Sequence, residues 1–423
     1  MLNFIQSFIK RKGHLIFGSQ ALTKIIGFLL SVFVIRYISK TEFGYITYAK
    51  TIMFFILPFI GLGLNQSLLR YGSITGNQFE KKIYFDYSLK WGTVFSLLIV
   101  LSIGITAPLI ISNIPGALMY LLIISFSTFT LALFNSFSSY LRITNLNKGY
   151  SYVNIFYSLV NFFTALIFTY FFKGIGFVLA TVLTPLLVFI WVYGRRFFKN
   201  FKQYFQIKLN FKKYKSFINY GLLIGIGSMA SQISLMTDNI LIGNIIKDPN
   251  QLAVYRTGSL IPFNLFFLPL VFMTTDFVKI ASESVNKAFL KSYYFNYIKL
   301  FGIISVLLIG GIYIFSKEVV NILFSQKYID SVIILRILLI GLVGSFMLRI
   351  PLGNILNAVG KAKWNTYNAY FMLIFNLIIT YFLVVKHGII GAAIATSIML
   401  WVSGLISLCL FLYYLNSLKK ELS

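Results

Sequence analysis

The sequence predicts an all-α membrane protein of twelve transmembrane helices, built as two six-helix lobes related by a parallel internal repeat. Three observations predict it. Of 423 residues, 58% are hydrophobic and only 11% charged, against roughly 45–50% and about a quarter in soluble domains. Apolar stretches of about 20 residues, enough to cross the hydrocarbon of a bilayer, recur along the whole chain. Residue patterns of the first half also return 215 residues later.

The elements follow in order. Lys10, Arg11 and Lys12 precede an apolar run from Leu15 to Ile38. That run is too long for the h-region of a cleaved signal, so it reads as an uncleaved first span near 14–38. Further spans are expected near 44–66, 86–112, 116–141, 150–172 and 174–195. A basic, polar stretch at 196–216 interrupts the series. Spans near 217–246, 256–281, 298–320, 329–358, 364–385 and 388–415 complete it. The expected domains are therefore an N-terminal lobe, 1–195, a basic cytoplasmic linker, 196–216, and a C-terminal lobe, 217–423.

Basic residues orient the spans, because Lys and Arg accumulate in cytoplasmic loops. With the N-terminus inside, 25 of the 37 Lys and Arg residues, Arg70, Lys81 and Arg142 among them, fall in cytoplasmic segments and eight in external ones. Both termini are thus expected in the cytoplasm. The same bias explains the net charge of +27, which in a soluble chain would suggest nucleic acid; no nucleic-acid partner is expected here. A single cysteine, Cys409, excludes a disulfide framework, and His14 and His387 are too far apart to suggest a metal site. No cofactor is expected. External loops stay under roughly 15 residues, too little to build an extracellular active site, so the chain is not expected to be an enzyme. No nucleotide-binding loop is present either, which argues against direct ATP use.

The repeat is local and specific. Gly174-Ile175-Gly176-Phe177-Val178-Leu179-Ala180-Thr181 opens the sixth span, and Gly388-Ile389-Ile390-Gly391-Ala392-Ala393-Ile394-Ala395-Thr396 opens the twelfth. Gly176 and Gly391, Ala180 and Ala395, Thr181 and Thr396, Asn161 and Asn376, and Lys148 and Lys363 all stand 215 apart. Two lobes in one orientation imply a cavity at their interface and a rocking motion about it.

Ionisable residues inside spans are costly in hydrocarbon, so by default they mark a cavity with a function. Away from the span ends, four basic residues fall within the expected spans: Lys24, Lys50, Arg336 and Arg349. Arg256 opens the eighth span from outside. Lys24 shares a helical stripe with Gln20, Gly27 and Ser31. Lys50 is followed in the same span by Pro58, Gly61 and Asn65. Acidic counterparts are few: Asp238 in the seventh span and Asp276 near the inner end of the eighth. A cationic interior suits an anionic guest, and Arg and Lys are the usual phosphate partners. The expected substrate-binding residues are Lys24, Lys50, Arg256, Arg349 and Arg336, with Gln20, Asp238 and Asn65 as polar or coupling residues. For Lys50 and Arg336, snorkelling to the outer interface is the competing explanation, and Asp238 is equally explained as a structural partner of one of the bases.

Several segments resemble the Wzx-type polysaccharide flippases of the MOP (multidrug/oligosaccharidyl-lipid/polysaccharide) exporter superfamily, which includes the MATE transporters. Arg36-Tyr37-Ile38-Ser39-Lys40-Thr41-Glu42-Phe43-Gly44-Tyr45 resembles the family's turn after the first span, without its Gly-Pro pair. Asp238-Asn239-Ile240-Leu241-Ile242-Gly243, followed by Ala253-Val254-Tyr255, is similar to a second motif. Ile322-Leu323-Phe324-Ser325-Gln326-Lys327-Tyr328 resembles a third, and Gly388 to Thr396 a fourth. The resemblance implies a multi-pass protein of the bacterial inner membrane that moves an undecaprenyl-pyrophosphate-linked oligosaccharide, an O-antigen or capsule precursor, to the outer leaflet. It implies a lipid-linked oligosaccharide as substrate, contact with membrane lipids, and a polysaccharide polymerase and chain-length regulator as partners. By helix, it places Lys24, Lys50 and Arg256 around the pyrophosphate. The alternative within the same superfamily is a cation-coupled drug or small-molecule antiporter, which would line its cavity with carboxylates.

Overall fold

The computed structural model describes residues 13–144 and 146–420, all helical or in short connections, with no strand among them. The helices are α1 (Gly13–Tyr37), α2 (Lys40–Ile56), α3 (Leu64–Ile74), α4 (Gln78–Ile110), α5 (Leu118–Ser125), α6 (Ser127–Ile143), α7 (Asn147–Lys199), α8 (Phe201–Gln206) and α9 (Phe211–Leu241). They continue with α10 (Pro249–Leu265), α11 (Phe267–Ser282), α12 (Lys287–Ile304), α13 (Gly310–Ile314), α14 (Ser316–Phe324), α15 (Ser331–Gly344), α16 (Ile350–Ala358) and α17 (Ala362–Lys420). Eight helical segments among the described residues are long and apolar enough to cross a membrane. They account for ten of the twelve expected spans, because α7 and α17 each double back. The first and seventh expected spans correspond to α1 and α9, which carry side chains outside the described residues.

The two hairpins turn on a single residue each. Lys173 has φ 50° and ψ −131°, and Gly388 has φ 59° and ψ −139°, again 215 residues apart. Three residues on, a Cβ on Gly176 would stand 1.8 Å from the Phe168 carbonyl oxygen, and one on Gly391 would stand 1.9 Å from that of Leu383. Only glycine lets the returning arm come so close. Contacts across each hairpin confirm the antiparallel arms. Thr164 and Thr184 share a hydrogen bond of 2.8 Å in α7, and Asn368 donates to Ser403 and Ser407 in α17.

Residues group into two compact units: Leu29–Asn250, and the described residues up to Phe28 together with those from Gln251 on. This packing division falls elsewhere than the linker at 196–216, and α9 shows why. Its Gly221 and Gly225 face the break between α2 and α3, where a Cβ on Gly221 would lie 2.6 Å from the Leu62 carbonyl oxygen. Ser67 also donates to the Phe217 carbonyl oxygen at 2.6 Å. Small residues in α9 let two backbones approach, the usual route to helix association in lipid. The segment therefore belongs by packing with the residues that precede it.

Local sequence explains the remaining irregularities of the first unit. Pro58 starts a 3₁₀ stretch, Leu57–Gly63, in which Gly61, Leu62 and Gly63 all take positive φ. The freed Gly61 N–H donates to Ser96 Oγ at 2.9 Å, so the break is satisfied within the protein as hydrocarbon requires. Lys81, buried, donates from Nζ to the Ile143 carbonyl oxygen at 2.8 Å. That places a cation at the C-terminus of α6, where the helix dipole favours it. In the second unit, a π-helical turn at Ser345–Arg349 joins α15 to α16. Carbonyls of Phe346 and Met347 in this wide turn accept from Tyr297 and Tyr294.

Candidate functional site

Among the residues of the unit that includes α10 to α17, Lys24 is exposed and opens into a cavity of about 320 Å³. Apolar side chains line most of it, including Phe28, Leu265, Phe267 and Leu323, and Asn264 supplies the amide. The cavity is thus a largely greasy pocket with one cation at its wall. Gln20 shares α1 with Lys24, but its side chain lies outside the described residues. Arg256 sits half-buried on α10, one turn before Ser259, whose hydroxyl donates to the Arg256 carbonyl oxygen at 2.9 Å. It does not line the cavity around Lys24, although Ile261 and Asn264 of the same helix do.

The two other arginines of this unit are held by neighbours. Arg336 donates from Nε to Ser316 Oγ at 2.6 Å, and its guanidinium lies 5.6 Å from the Tyr313 ring centroid. Arg349, the last residue of the π turn, donates to Asn365 Oδ1 at 2.5 Å. Asn365 in turn donates to Asn357. Gly353 leaves the room this needs, since a Cβ there would lie 2.7 Å from Arg349 Nη1. Asp276 is buried and accepts from the Tyr293 hydroxyl at 2.9 Å.

In the other unit, Lys50 Nζ stands 3.7 Å from the centroid of the Phe177 ring, a close cation–π contact. Asp238 is buried on α9, and Asn65 is half-buried in the first turn of α3, just after the break.

The structure also shows what the motifs do. Ser39-Lys40-Thr41-Glu42 is a capping box, with Ser39 Oγ accepting from the Glu42 N–H at 3.1 Å and Glu42 accepting from the Ser39 N–H. Glu42 also accepts from the Tyr120 hydroxyl at 3.1 Å. Gly44 has no room for a Cβ, which would fall 1.9 Å from the Pro249 carbonyl oxygen. Gly243 likewise faces Tyr48, whose ring a Cβ would meet at 2.3 Å. Beside it, Asn244 Oδ1 accepts from the Tyr48 hydroxyl at 3.0 Å and from Asn113 Nδ2 at 2.8 Å. This polar cluster was not anticipated from sequence. Its signal was there, in Asn244 directly after the glycine of the second motif.

The comparisons agree with one another. The profile of the family described as "Polysaccharide biosynthesis protein" matches residues 33–333. An uncharacterised membrane protein of Methanocaldococcus jannaschii is 26% identical over 398 residues, covering 88% of this chain and 77% of that one. A Shigella flexneri protein that bears the name of an O-antigen transporter is 28% identical over 190 residues, 44% of either chain. Among solved structures, the lipid II flippase MurJ in an inward closed conformation superposes with a TM-score of 0.72 at 18% identity, over 96% of this chain and 89% of its own. An inward-facing multidrug-resistance MATE transporter of the MOP superfamily gives 0.71 at 16% identity, over 94% and 96%. At these identities the structures establish a shared fold.

Proposed function

Since the chain belongs to the polysaccharide biosynthesis protein family, we propose that this multi-pass membrane protein is a flippase for an undecaprenyl-pyrophosphate-linked oligosaccharide repeat unit, carried from the cytoplasmic to the outer leaflet by alternating access. The observation that carries this reading is Lys24, a cation on the wall of a largely apolar cavity, in a chain with eight helical segments long and apolar enough to cross a membrane. Leaving such a charge in hydrocarbon is costly, and an anionic headgroup moving past it offsets that cost. A pyrophosphate pairs with Lys24 in the inward-open state, the glycan enters hydrated space, and the polyprenyl tail stays in the bilayer. Lys50 and Arg256 are the next candidates along the path. Arg336 and Arg349, held by Ser316 and Asn365, act by keeping their helices in place. Two lobes rock about the site, α9 moving with the residues it packs against, and both termini lie in the cytoplasm. A polysaccharide polymerase and a chain-length regulator fit as partners downstream of such a step.

The test is the leaflet location of the lipid-linked oligosaccharide in spheroplasts, read with an externally added glycan-binding probe. With the protein, the probe reaches the glycan; without it, or with Lys24→Ala, access falls at least tenfold while protein abundance holds. Access that persists without the protein overturns the flippase reading, and cation-coupled efflux through Asp238 and Asp276 becomes the reading to test.

A further inference from the structure

The unit Leu29–Asn250 carries two adjoining pockets at its basic end, and neither includes a residue discussed above as substrate-binding. The first, of about 410 Å³, is lined by Gln66, Leu69, Arg70, Ser73, Arg142 and Tyr220. The second, of about 480 Å³, has Phe79, Tyr71, Tyr84 and Phe217 as aromatic walls, with Asn77, Glu80 and Lys213 among its polar ones. Both volumes fall in the usual range for ligand sites.

Charge and shape differ between the two in a telling way. The first pocket holds two arginines from different helices, Arg70 on α3 and Arg142 in the last turn of α6, and no carboxylate. Arg70 is held 4.9 Å over the Tyr220 ring, and Arg142 lies 5.4 Å from that of Tyr150. Both residues are exposed. Two planar forks with Gln66 and Ser73 beside them suit a group with several acceptor oxygens on adjacent phosphorus atoms. The second pocket offers aromatic faces for the apolar side of a pyranose ring, and Asn77 and Glu80 for its hydroxyls. The Glu80 carboxylate already accepts from the Thr75 hydroxyl. Tyr71 of the second pocket meets Tyr220 of the first edge to face at 6.1 Å.

We propose that these pockets form one headgroup site, in which Arg70 and Arg142 hold a diphosphate and the aromatic cavity around Phe79, Tyr71 and Tyr84 receives the sugar attached to it. The proposal rests on the flippase reading and adds to it a place where the glycolipid headgroup is captured before translocation. Arg70 and Arg142, which the charge bias alone explains as cytoplasmic anchors, acquire a second role.

The experiment uses the full chain in lipid nanodiscs, titrated with inorganic pyrophosphate and, separately, with undecaprenyl pyrophosphate carrying a disaccharide. Both ligands bind the native protein. Arg70→Gln/Arg142→Gln weakens both at least tenfold, and Arg70→Lys/Arg142→Lys, which keeps charge and fold, recovers part of the loss. Phe79→Ala weakens the glycolipid only. If Arg70→Gln/Arg142→Gln binds the glycolipid as the native protein does, the site is wrong and the flippase reading stands. If pyrophosphate binding depends on the arginines but the native protein ignores the glycolipid, the site takes a free phosphate and the flippase reading falls.

Discussion

Lys173 shows how much one residue's backbone reveals. Its φ of 50° with ψ of −131° lies in a region that side chains avoid, at about 1–3 kcal/mol, while the equivalent position in the second half is Gly388. Lys173→Gly is therefore expected to stabilise the protein by about 1 kcal/mol, the relieved strain less the ~0.5–1 kcal/mol entropy cost of glycine. A higher melting temperature of the purified protein in detergent checks it; a lower one would mean that the contact of Lys173 with the Tyr37 ring, at 5.3 Å, dominates. Lys81 makes the opposite case. Replacing it with Met removes the donor to Ile143 and leaves a buried carbonyl unsatisfied, which should lower stability by about 1–3 kcal/mol. The sequence marked Lys81 only as a cytoplasmic charge. Its burial depends on where α6 ends, and no local pattern records that.

At the level of elements, the helical hairpins of α7 and α17 are the repeat made physical. The sequence showed Gly176 and Gly391 at matching positions, and the structure supplies the reason: each lies against a carbonyl eight residues back. A methyl group at either position has nowhere to go, because the obstacle is backbone. Gly176→Ala and Gly391→Ala should each open a hairpin and cost about 3 kcal/mol, the upper end for overpacking, seen as loss of the monodisperse peak in fluorescence-detected gel filtration. Gly27→Ala, where a Cβ meets nothing within 4 Å, should leave that peak intact. The break between α2 and α3 was not read from sequence: Pro58 and Gly61 were placed inside one continuous second span, and the positive φ at Leu62 accompanies its close packing against α9.

For the whole molecule, the orientation drawn from basic residues is open to direct test. Cys409 is the only cysteine, so Cys409→Ala gives a clean background for single cysteines labelled by a membrane-impermeant maleimide. Positions 76, 145 and 360 should react only after the membrane is opened, and positions 113 and 248 in intact cells. The reverse pattern would invert the protein and move the Arg70–Arg142 pocket to the outside.

Composition, span length and the 215-residue spacing were enough to determine an all-helical membrane protein with a repeated half, because the bilayer forces every backbone polar group into helices and leaves apolar runs in plain view. Gly176, Gly391 and the segment Arg36–Tyr45 were legible as motifs, since their constraints act over a few residues; that Ser39 and Glu42 form a capping box came from the structure. Tertiary structure alone decided that α9 packs with α2 and α3, that Arg336 and Arg349 are tied to Ser316 and Asn365, and that Arg70 and Arg142 share a pocket. Those outcomes depend on side chains brought together from distant parts of the chain, and hydropathy carries no record of which helix faces meet.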